Sequence, residues 1–302
     1  QKILDHYEPY LESMCYRLDA WPAWWPNCGP GIVGAFLGTE VHFSEETNTA
    51  WFTPAEELSI EDLHPVYDAC NAYWERVLGL TRAAVERWGQ RVTVGLSDLG
   101  GNLDILASLC HAEELFLAMI EAPDHVERLA GEVTQLWLRY YDECHEVIQQ
   151  PQRGMTDWAS LWAPQRYYML QSDLSYNISP QMFERFVLPD LAACCDYLDY
   201  GFYHLDGKGQ IPHLDMLLSL DRLRGIQWIP GAGQPDPEEW LPLLKRMRDG
   251  GKLCQVYVKP EGALKIVREL GGRGFAFGIG EAMSEEKAQQ FMDTLIAEDA
   301  ER

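Results

Sequence analysis

Residues 202–229 read FYHLDGKGQIPHLDMLLSLDRLRGIQWI and contain, in succession, an apolar run, a glycine-rich turn, a helical segment and a second apolar run. The runs FYHL at 202–205 and GIQWI at 225–229 are short and rich in the aromatic and β-branched residues that favour strands. Because parallel strands need a long crossover connection, a strand, a helix and a strand in this order predict a βαβ unit.

The same alternation continues in both directions along the chain. Strands are also predicted at Arg91–Leu96, Gly154–Ser160, Lys252–Val258 and Gly274–Phe277, with two more around Tyr16–Trp21 and Glu40–Phe43. Helices are predicted at Leu103–Met119, Pro123–Gln149, Ser179–Leu198, His213–Ser219, Pro237–Asp249, Pro260–Leu270 and Ser284–Ala300. Eight such units predict an α/β protein, a (β/α)8 TIM barrel forming a single domain over residues 1–302 with an N-terminal extension. An open doubly wound sheet is the alternative, but no GxGxxG motif follows the first strand.

The amino-acid composition argues against some classes of binding partner. The chain has 24 Lys and Arg against 47 Asp and Glu, which gives a net charge of −23 and argues against nucleic acid or a membrane as a partner. It lacks the long apolar run of a membrane span and a visible signal peptide. Eight cysteines without a CxxC pair indicate reduced thiols, so a cytoplasmic location is expected. Because the chain opens on Gln1, N-terminal residues could be missing.

Polar residues follow the predicted strands, and in a TIM barrel the chemistry lies at these strand ends. His204 and Asp206 lie two positions apart, so their side chains point the same way, and the turn GKG behind them lets the backbone approach a ligand. Asp98 and Glu281 follow other strands. We therefore predict Asp98, His204, Asp206 and Glu281 as catalytic residues, with helix capping or turn formation as the alternative for the acids.

Aromatic and polar residues in the remaining loops are the candidates for binding a substrate. Carboxylates beside aromatic faces suit sugars or other flat, hydroxylated small molecules, whereas a core position is the alternative for each tryptophan. No GxSxG, P-loop or HExxH motif is present. The predicted substrate-binding residues are Trp24, Asn27, Asp157, Trp158, Asp173, Tyr176, His213 and Trp228.

Seven stretches of the chain resemble the uroporphyrinogen decarboxylase superfamily, which contains the decarboxylases and the cobamide-dependent methyltransferases. They are GPGIVGAFLG at 29–38, NTAWF at 48–52, VGLSDLGGNLDILASL at 94–109, EAPDHVERL at 121–129, ISPQMFERFVLPDL at 178–191, FYHLDGKGQIPHLDML at 202–217 and GIQWIPGAG at 225–233. The resemblance spans about residues 20–298 and implies a (β/α)8 barrel.

The two branches of the superfamily imply different sites. The decarboxylase branch implies an Arg-rich N-terminal segment for a polycarboxylate substrate, but no Arg follows Arg17 in this part of the chain. The methyltransferase branch implies zinc held by a His-x-Cys pair and a later Cys. His204 matches the histidine, Asp206 replaces the first cysteine, and Glu281 is the nearest donor to the second. The resemblance thus implies a metal site, possible for zinc, at His204, Asp206 and Glu281.

Two hypotheses follow. The first is a corrinoid-linked methyltransferase that acts with a corrinoid on a separate partner protein and carries no covalently bound cofactor. Asp98 would orient His204, Asp206 and Glu281, and a flat acceptor would stack on a tryptophan such as Trp158 or Trp228.

The second hypothesis is a metal-free enzyme of the glycosidase type, in which two of the carboxylates act as acid and base on a sugar-like substrate. Decarboxylation, as in the founding branch, and a binding protein without catalysis remain as further alternatives. The substrate, the metal and the oligomeric state, a homodimer included, stay open.

Overall fold

The computed structural model describes residues 1–46, 49–56, 58–149 and 154–300. The helices are α1 (Lys2–Ser13), α2 (Val33–Phe36), α3 (Ala72–Trp88), α4 (Asn102–Cys110), α5 (Ala112–Glu121), α6 (Pro123–Gln149), α7 (Pro180–Phe186), α8 (Leu188–Tyr197), α9 (Leu214–Ser219), α10 (Leu241–Asp249), α11 (Pro260–Leu270) and α12 (Glu285–Ala300). The strands are β1 (Ala23–Trp24), β2 (Glu40–Ser44), β3 (Thr49–Thr53), β4 (Thr93–Val94), β5 (Tyr167–Leu170), β6 (Tyr200–Asp206), β7 (Leu223–Ile229), β8 (Leu253–Val258) and β9 (Phe275–Ile279). Short 3-10 turns lie at Ile60–Asp62, Asp173–Asn177, Lys208–His213 and Pro237–Glu239.

The main sheet contains five strands in the order β5-β6-β7-β8-β9. Strands β7, β8 and β9 are parallel, and Gln227 lies opposite Gln255 in the register of β7 and β8. A parallel pair β1-β4 and an antiparallel pair β2-β3 stand apart from this sheet. The predicted α/β class is confirmed, whereas the closed eight-stranded TIM barrel stays a prediction.

Three predicted strands differ from the structure. No strand forms at Gly154–Ser160, where Met155 makes only an isolated antiparallel bridge with Ala163. The strand lies instead at Tyr167–Leu170, whose four residues are all buried. None forms at Tyr16–Trp21 either, and Glu40–Phe43 belongs to the hairpin β2-β3. The strand predictions at Gly154–Ser160 and Tyr16–Trp21 were wrong, because turns at Trp158–Ala159 and Leu18–Asp19 interrupt both runs. Only Glu40–Phe43 is extended, and it pairs with β3 in a hairpin.

Two long predicted helices are each interrupted. The segment Leu103–Met119 divides into α4 and α5 at His111, whose φ of 66° lies in the left-handed region and cannot continue a right-handed helix. The segment Ser179–Leu198 divides into α7 and α8 near Val187. Pro189 occupies the first turn of α8, where its missing N–H costs no hydrogen bond.

The chain forms two compact units. Unit 1 contains Gln1–Leu174 and Ile178–Gly201, and unit 2 contains Ser175–Asn177 and Phe202–Arg302. The single-domain interpretation stays a prediction. In unit 1 the long helix α6 buries one face, including Trp137, Tyr140 and Tyr141, and Tyr140 packs edge-on against Trp74. Such aromatic packing stabilises a core beyond the apolar area that it buries.

Unit 2 is built on the parallel strands β7 and β8, whose side chains Ile226 and Val256 are completely buried. Leu244 of α10 and Ile266 of α11 are also fully buried. Apart from Arg224, Gln227 and Gln255, the residues of both strands are apolar or glycine, which is expected where helices cover a parallel sheet. No helix within the described ranges is both long enough and apolar enough to cross a membrane.

A glycine pair allows close backbone approach in unit 1, at the loop between β4 and α4. A Cβ at Gly101 would lie 2.3 Å from the backbone oxygen of Gln171 and 2.4 Å from Asp104 Oδ2. At Gly100, where φ is 87°, a Cβ would lie 2.6 Å from Gly31 Cα. These separations are shorter than atoms allow, so the sequence GG at 100–101 is a packing requirement.

We expect Gly101→Ala to lower the free energy of unfolding by about 2–3 kcal/mol, because the carbonyl that its Cβ meets belongs to the backbone and cannot turn away. Gly79→Ala is the matched control: nothing lies within 4 Å of its added Cβ, and it sits inside α3. That variant should instead gain about 0.5–1 kcal/mol. Urea unfolding of both variants measures this, and equal effects would contradict the packing argument.

Candidate functional site

Asp98 lies in unit 1 on the loop that follows β4. Its Oδ1 accepts hydrogen bonds from the backbone N–H groups of Gly31 and Gly100, at 3.3 and 3.0 Å. The Tyr168 hydroxyl fixes the same loop by accepting from Leu99 N–H and donating to the carbonyl of Ser97. Asp98 is therefore held by backbone groups on either side and cannot change position freely.

Burial is the main cause that raises the pKa of Asp98, to about 7. The two backbone hydrogen bonds oppose this rise, because they favour the charged form, whereas the negative charges of Asp173 and Asp157 add to it. A carboxyl group with a pKa near neutrality can carry a proton in either direction at physiological pH. Asp98 is therefore the proton-carrying candidate of unit 1.

Asp157 is completely buried after the bridge at Met155, and burial raises its pKa to about 7 as well. Its two oxygens accept from the backbone N–H groups of Ala159 and Met169, at 2.9 and 2.6 Å. These bonds join the loop to β5. Asp157 therefore has a structural task, and its predicted contact with substrate stays a prediction.

Asp173 is exposed, and its backbone N–H donates to Asp104 Oδ2 at 2.9 Å. Asp104 Oδ1 accepts from Leu174 N–H at 2.8 Å, so the Asp104 carboxylate caps the turn that begins at Asp173. The carboxylate of Asp173 thus lies on the surface of unit 1, where it acts on Asp98 through its charge.

The other substrate-binding candidates of unit 1 differ in how far they are exposed to solvent. Trp24 is 6% exposed and packs edge-on against Trp88 in a core cluster with α1, so the predicted ligand contact is replaced by a core role. Asn27 is exposed, and its side-chain oxygen accepts from Gly29 N–H in a turn. Trp158 is partly buried beside Asp157 in the chain, and it retains an accessible surface.

In unit 2, His204 lies on β6 and is the first residue in a series of side-chain hydrogen bonds that continues through Gln227 to Gln255. Its Nδ1 pairs with Gln227 Oε1, and Gln227 Nε2 donates to Gln255 Oε1 at 2.8 Å. Because the amide oxygen of Gln227 can only accept, Nδ1 carries a proton, so in the neutral ring the lone pair lies on Nε2. Both glutamines are buried, at 0% and 3% exposure, so the ring is held in one orientation.

Asp206 ends the same strand, and its Oδ2 lies 4.0 Å from His204 Nε2. The turn behind it needs glycine, because a Cβ at Gly207 would lie 2.9 Å from the Tyr176 ring, and one at Gly209 would lie 2.7 Å from it. The half-exposed Tyr176 therefore lies directly over the glycine turn. The structure brings together three predicted residues of unit 2, His204, Asp206 and Tyr176, around this turn.

His213 and Trp228 are buried in unit 2. The Nε2 of His213 bonds the carbonyl of Ser175 at 2.9 Å, and burial lowers the pKa of His213. Trp228 is 0% exposed and packs edge-on against Trp240, so its ring offers no face to a ligand. Both residues occupy buried positions in unit 2, and their predicted contacts with substrate stay predictions.

Glu281 is exposed after β9. Among the described residues it belongs to no group of three whose ligand atoms lie within 4.8 Å of one another, so it does not join His204 and Asp206 in this arrangement. The metal site at His204, Asp206 and Glu281 remains a prediction.

A thiolate zinc site does not fit the residues of unit 2. Its single cysteine, Cys254, is 1% exposed on β8, and burial raises its pKa to about 12, so the thiol stays protonated. The remaining donors are one imidazole and one carboxylate. Their atoms are 4.0 Å apart, against about 3.3 Å for two ligands of a tetrahedral zinc.

Sequence reasoning did not single out Gln227 and Gln255. The signal was available, because each is the one amide in an apolar strand, GIQWI and LCQVYV. A polar residue at the centre of a buried strand needs a partner, so two such residues in neighbouring strands predict a mutual hydrogen bond. What the sequence does not show is that the series of hydrogen bonds ends on His204.

The raised pKa of Asp98 makes a prediction about stability against pH. A carboxyl group whose pKa is higher in the folded than in the unfolded protein stabilises the fold at low pH and loses this contribution as pH rises through the folded value. The contribution of Asp98 should therefore fall by at most about 4 kcal/mol between pH ~4 and pH ~7. Asp98→Asn lacks it, so the variant should gain stability relative to wild type as pH rises. Urea unfolding across this range measures the difference. A difference independent of pH would contradict the assignment.

Comparisons with known proteins show a shared fold. No protein-family model matches the chain, and no curated protein sequence matches it. Among solved structures, a methyltransferase from Methanosarcina mazei is similar, with a TM-score of 0.61 and 13% sequence identity over 92% of this chain and 80% of that one. At this identity the similarity establishes that the chain has the same type of fold as that methyltransferase.

Proposed function

We propose that the chain is a methyltransferase in which His204 accepts the proton of the methyl acceptor. The observation that carries this proposal is the oriented imidazole: the side chains of Gln227 and Gln255 hold Nδ1–H, and Nε2 lies on the side of Asp206. The fold shared with a methyltransferase supports the reaction class. Membership of the uroporphyrinogen decarboxylase superfamily, with its (β/α)8 barrel and cytoplasmic location, is part of the proposal.

The proton step follows from the position of His204. An acceptor with a thiol or hydroxyl group placed at Nε2 would transfer its proton to the ring, and the cation so formed would face Asp206, 4.0 Å away. The carboxylate stabilises that cation by Coulomb attraction, which is stronger near a partly buried group than in water. Asp206 thus makes the histidine a better base without itself accepting a proton.

The deprotonated acceptor then attacks the methyl carbon of the donor. A new bond forms between the acceptor atom and carbon, and the donor keeps the electron pair of the bond that breaks. A methyl corrinoid on a separate protein is the proposed donor, because a corrinoid is a good leaving group when it keeps that pair. The exposed ring of Tyr176 beside the turn is the proposed contact for a flat acceptor.

The proton-transfer role is tested by His204→Asn, which we expect to lower the rate of methyl transfer from methylcobalamin to a thiol by about 100-fold or more, the scale of general-base catalysis. Gln227→Leu keeps the base but releases its orientation, and a loss of about 10–100-fold is expected. His64→Asn, at an exposed position in unit 1, is the control and should match the wild type. The change in the corrinoid absorption spectrum follows the reaction. Full activity of His204→Asn would exclude the proposal.

Metal binding is tested separately. If His204, Asp206 and Glu281 hold an ion, freshly purified protein should contain close to one metal per chain, and His204→Asn should lose most of it. Because this donor set has no thiolate, we expect a chelator to remove the ion more easily than from a cysteine site. Wild-type protein that contains no metal would contradict the metal site while leaving the proton-transfer role of His204 standing.

The metal-free glycosidase-type reading keeps one favourable observation, the pKa of about 7 of Asp98. It needs a second working carboxylate facing the first. Within unit 1, both oxygens of Asp157 and of Asp104 accept backbone N–H groups, and the third carboxylate, that of Asp173, is exposed to water. Methyl transfer is therefore the better-supported function.

A further inference from the structure

The sheet of unit 2 carries an exposed aromatic ring on the same face as the proposed base. His204, Gln227 and Gln255 share one face of this sheet, because hydrogen bonds join their side chains. Side chains alternate along a strand, so Asp206 and Tyr257, each two positions further on, lie on that face as well, at the carboxyl ends of β6 and β8. We call this surface the His204 face.

Tyr257 lies across a glycine of the neighbouring strand. It is opposite Gly278 in the register of β8 and β9, and a Cβ at Gly278 would lie 2.2 Å from Tyr257 Cδ1 and 2.6 Å from its Cε1. Ala276, opposite Gln255, is the other residue of β9 on the His204 face. Strand β9 therefore contributes only small residues there, and the Tyr257 ring occupies the place that a side chain at Gly278 would fill.

The Tyr257 ring keeps surface that no side chain of the protein covers. Tyr257 is 43% exposed, whereas Gln255, two positions earlier on the same face, is 3% exposed. On the opposite face of β8, Val256 and Val258 are buried. A tyrosine that only filled the interior would be covered as these valines are, so the exposed part of the ring is available to a ligand.

The distance between Tyr257 and His204 sets the size of a ligand that reaches both. Strand β7 lies between β6 and β8, so the two residues are two strand spacings apart, which amounts to about 10 Å. Ile229 ends β7, two positions after Gln227, and it is only partly buried. It offers an apolar surface on the His204 face between the base and the ring.

We propose that Tyr257 is a specificity-determining residue, which binds an aromatic ring at the far end of an elongated methyl acceptor. The acceptor is then an arylalkyl thiol or alcohol: its thiol or hydroxyl group lies at His204 beside Tyr176, its chain lies over Ile229, and its ring packs on Tyr257. Aromatic rings attract each other edge-on or offset, beyond the apolar area that they bury. This inference rests on the proposed function, because it assigns the remainder of the same acceptor.

Binding is measured first, by calorimetric titration of the full chain with 3-phenylpropane-1-thiol and with propane-1-thiol, in the absence of a methyl donor. We expect Tyr257→Leu to weaken binding of the phenyl thiol by about 5–10-fold and to leave that of propane-1-thiol unchanged. Tyr257→Phe keeps the ring and should bind as the wild type does. Tyr10→Leu, at an exposed position of α1 in unit 1, is the matched control and should also bind normally.

A second variant moves the ring without removing it. In Gly278→Ala the added Cβ displaces the Tyr257 ring, so affinity for the phenyl thiol should fall and affinity for propane-1-thiol should not. If Tyr257 only covers Gly278, Tyr257→Leu will lower the stability to urea with unchanged affinity for the phenyl thiol. That outcome, or an equal loss of affinity in Tyr10→Leu, would overturn the proposal.

Kinetics separate this inference from the proposed function. With methylcobalamin as donor, Tyr257→Leu should raise KM for the phenyl thiol by the same factor as its Kd and leave kcat unchanged. Neither parameter should change for propane-1-thiol. Binding of the phenyl thiol that depends on Tyr257, without methyl transfer to it, would contradict the proposed function and leave the aromatic contact at Tyr257 standing.

Discussion

The hydrogen bond between Gln227 Oε1 and His204 Nδ1 is the interaction on which the chemistry of unit 2 depends. An imidazole has two tautomers, and a base on a strand is useful only if one of them is fixed. Gln227 could itself turn over by 180° and present its NH2 group. In the observed orientation that NH2 group donates to Gln255 Oε1, so the amide oxygen is the atom that faces Nδ1. Two neutral amides thus determine which nitrogen of His204 faces Asp206.

In unit 1 the aspartate side chains are held by backbone N–H groups rather than by side-chain amides. Asp98, Asp104 and Asp157 all accept hydrogen bonds from backbone N–H groups, where an arginine would be the obvious partner. Backbone donors carry no net charge, so they fix a carboxyl group without lowering its pKa as strongly as a cation would. The pKa of Asp98 and that of Asp157 therefore stay near 7. In a chain of net charge −23, such acids keep their ability to exchange protons.

The sequence predicted the alternation from β6 to β9 well, because each strand is a short apolar run separated by an amphipathic helix. It predicted β5 in the wrong place, since Asp157 forms a turn through side-chain bonds that no periodicity reveals. Trp24 and Trp228 show the limit for the site: each lies two positions before a proline and looks accessible, yet its burial depends on a partner elsewhere in the chain, Trp88 or Trp240. His204 and Asp206 could be predicted because the glycine turn that follows them is visible in the local sequence, whereas Tyr176 was predicted only as an aromatic residue in a loop before a helix.

Asp206 is where the chemistry of this chain departs from the pattern implied by its resemblance. A thiolate in that position would be a soft ligand that binds zinc tightly, whereas a carboxylate is harder and, when no ion is present, still interacts with a protonated imidazole. The same backbone position can therefore support either metal binding or proton transfer, depending on one side chain. The Nδ1–H of His204 is compatible with both, because a metal ligand and a general base each need Nε2 free of its proton. The proposal of proton transfer therefore rests on the donor atoms around His204, and not on the fold shared with a methyltransferase.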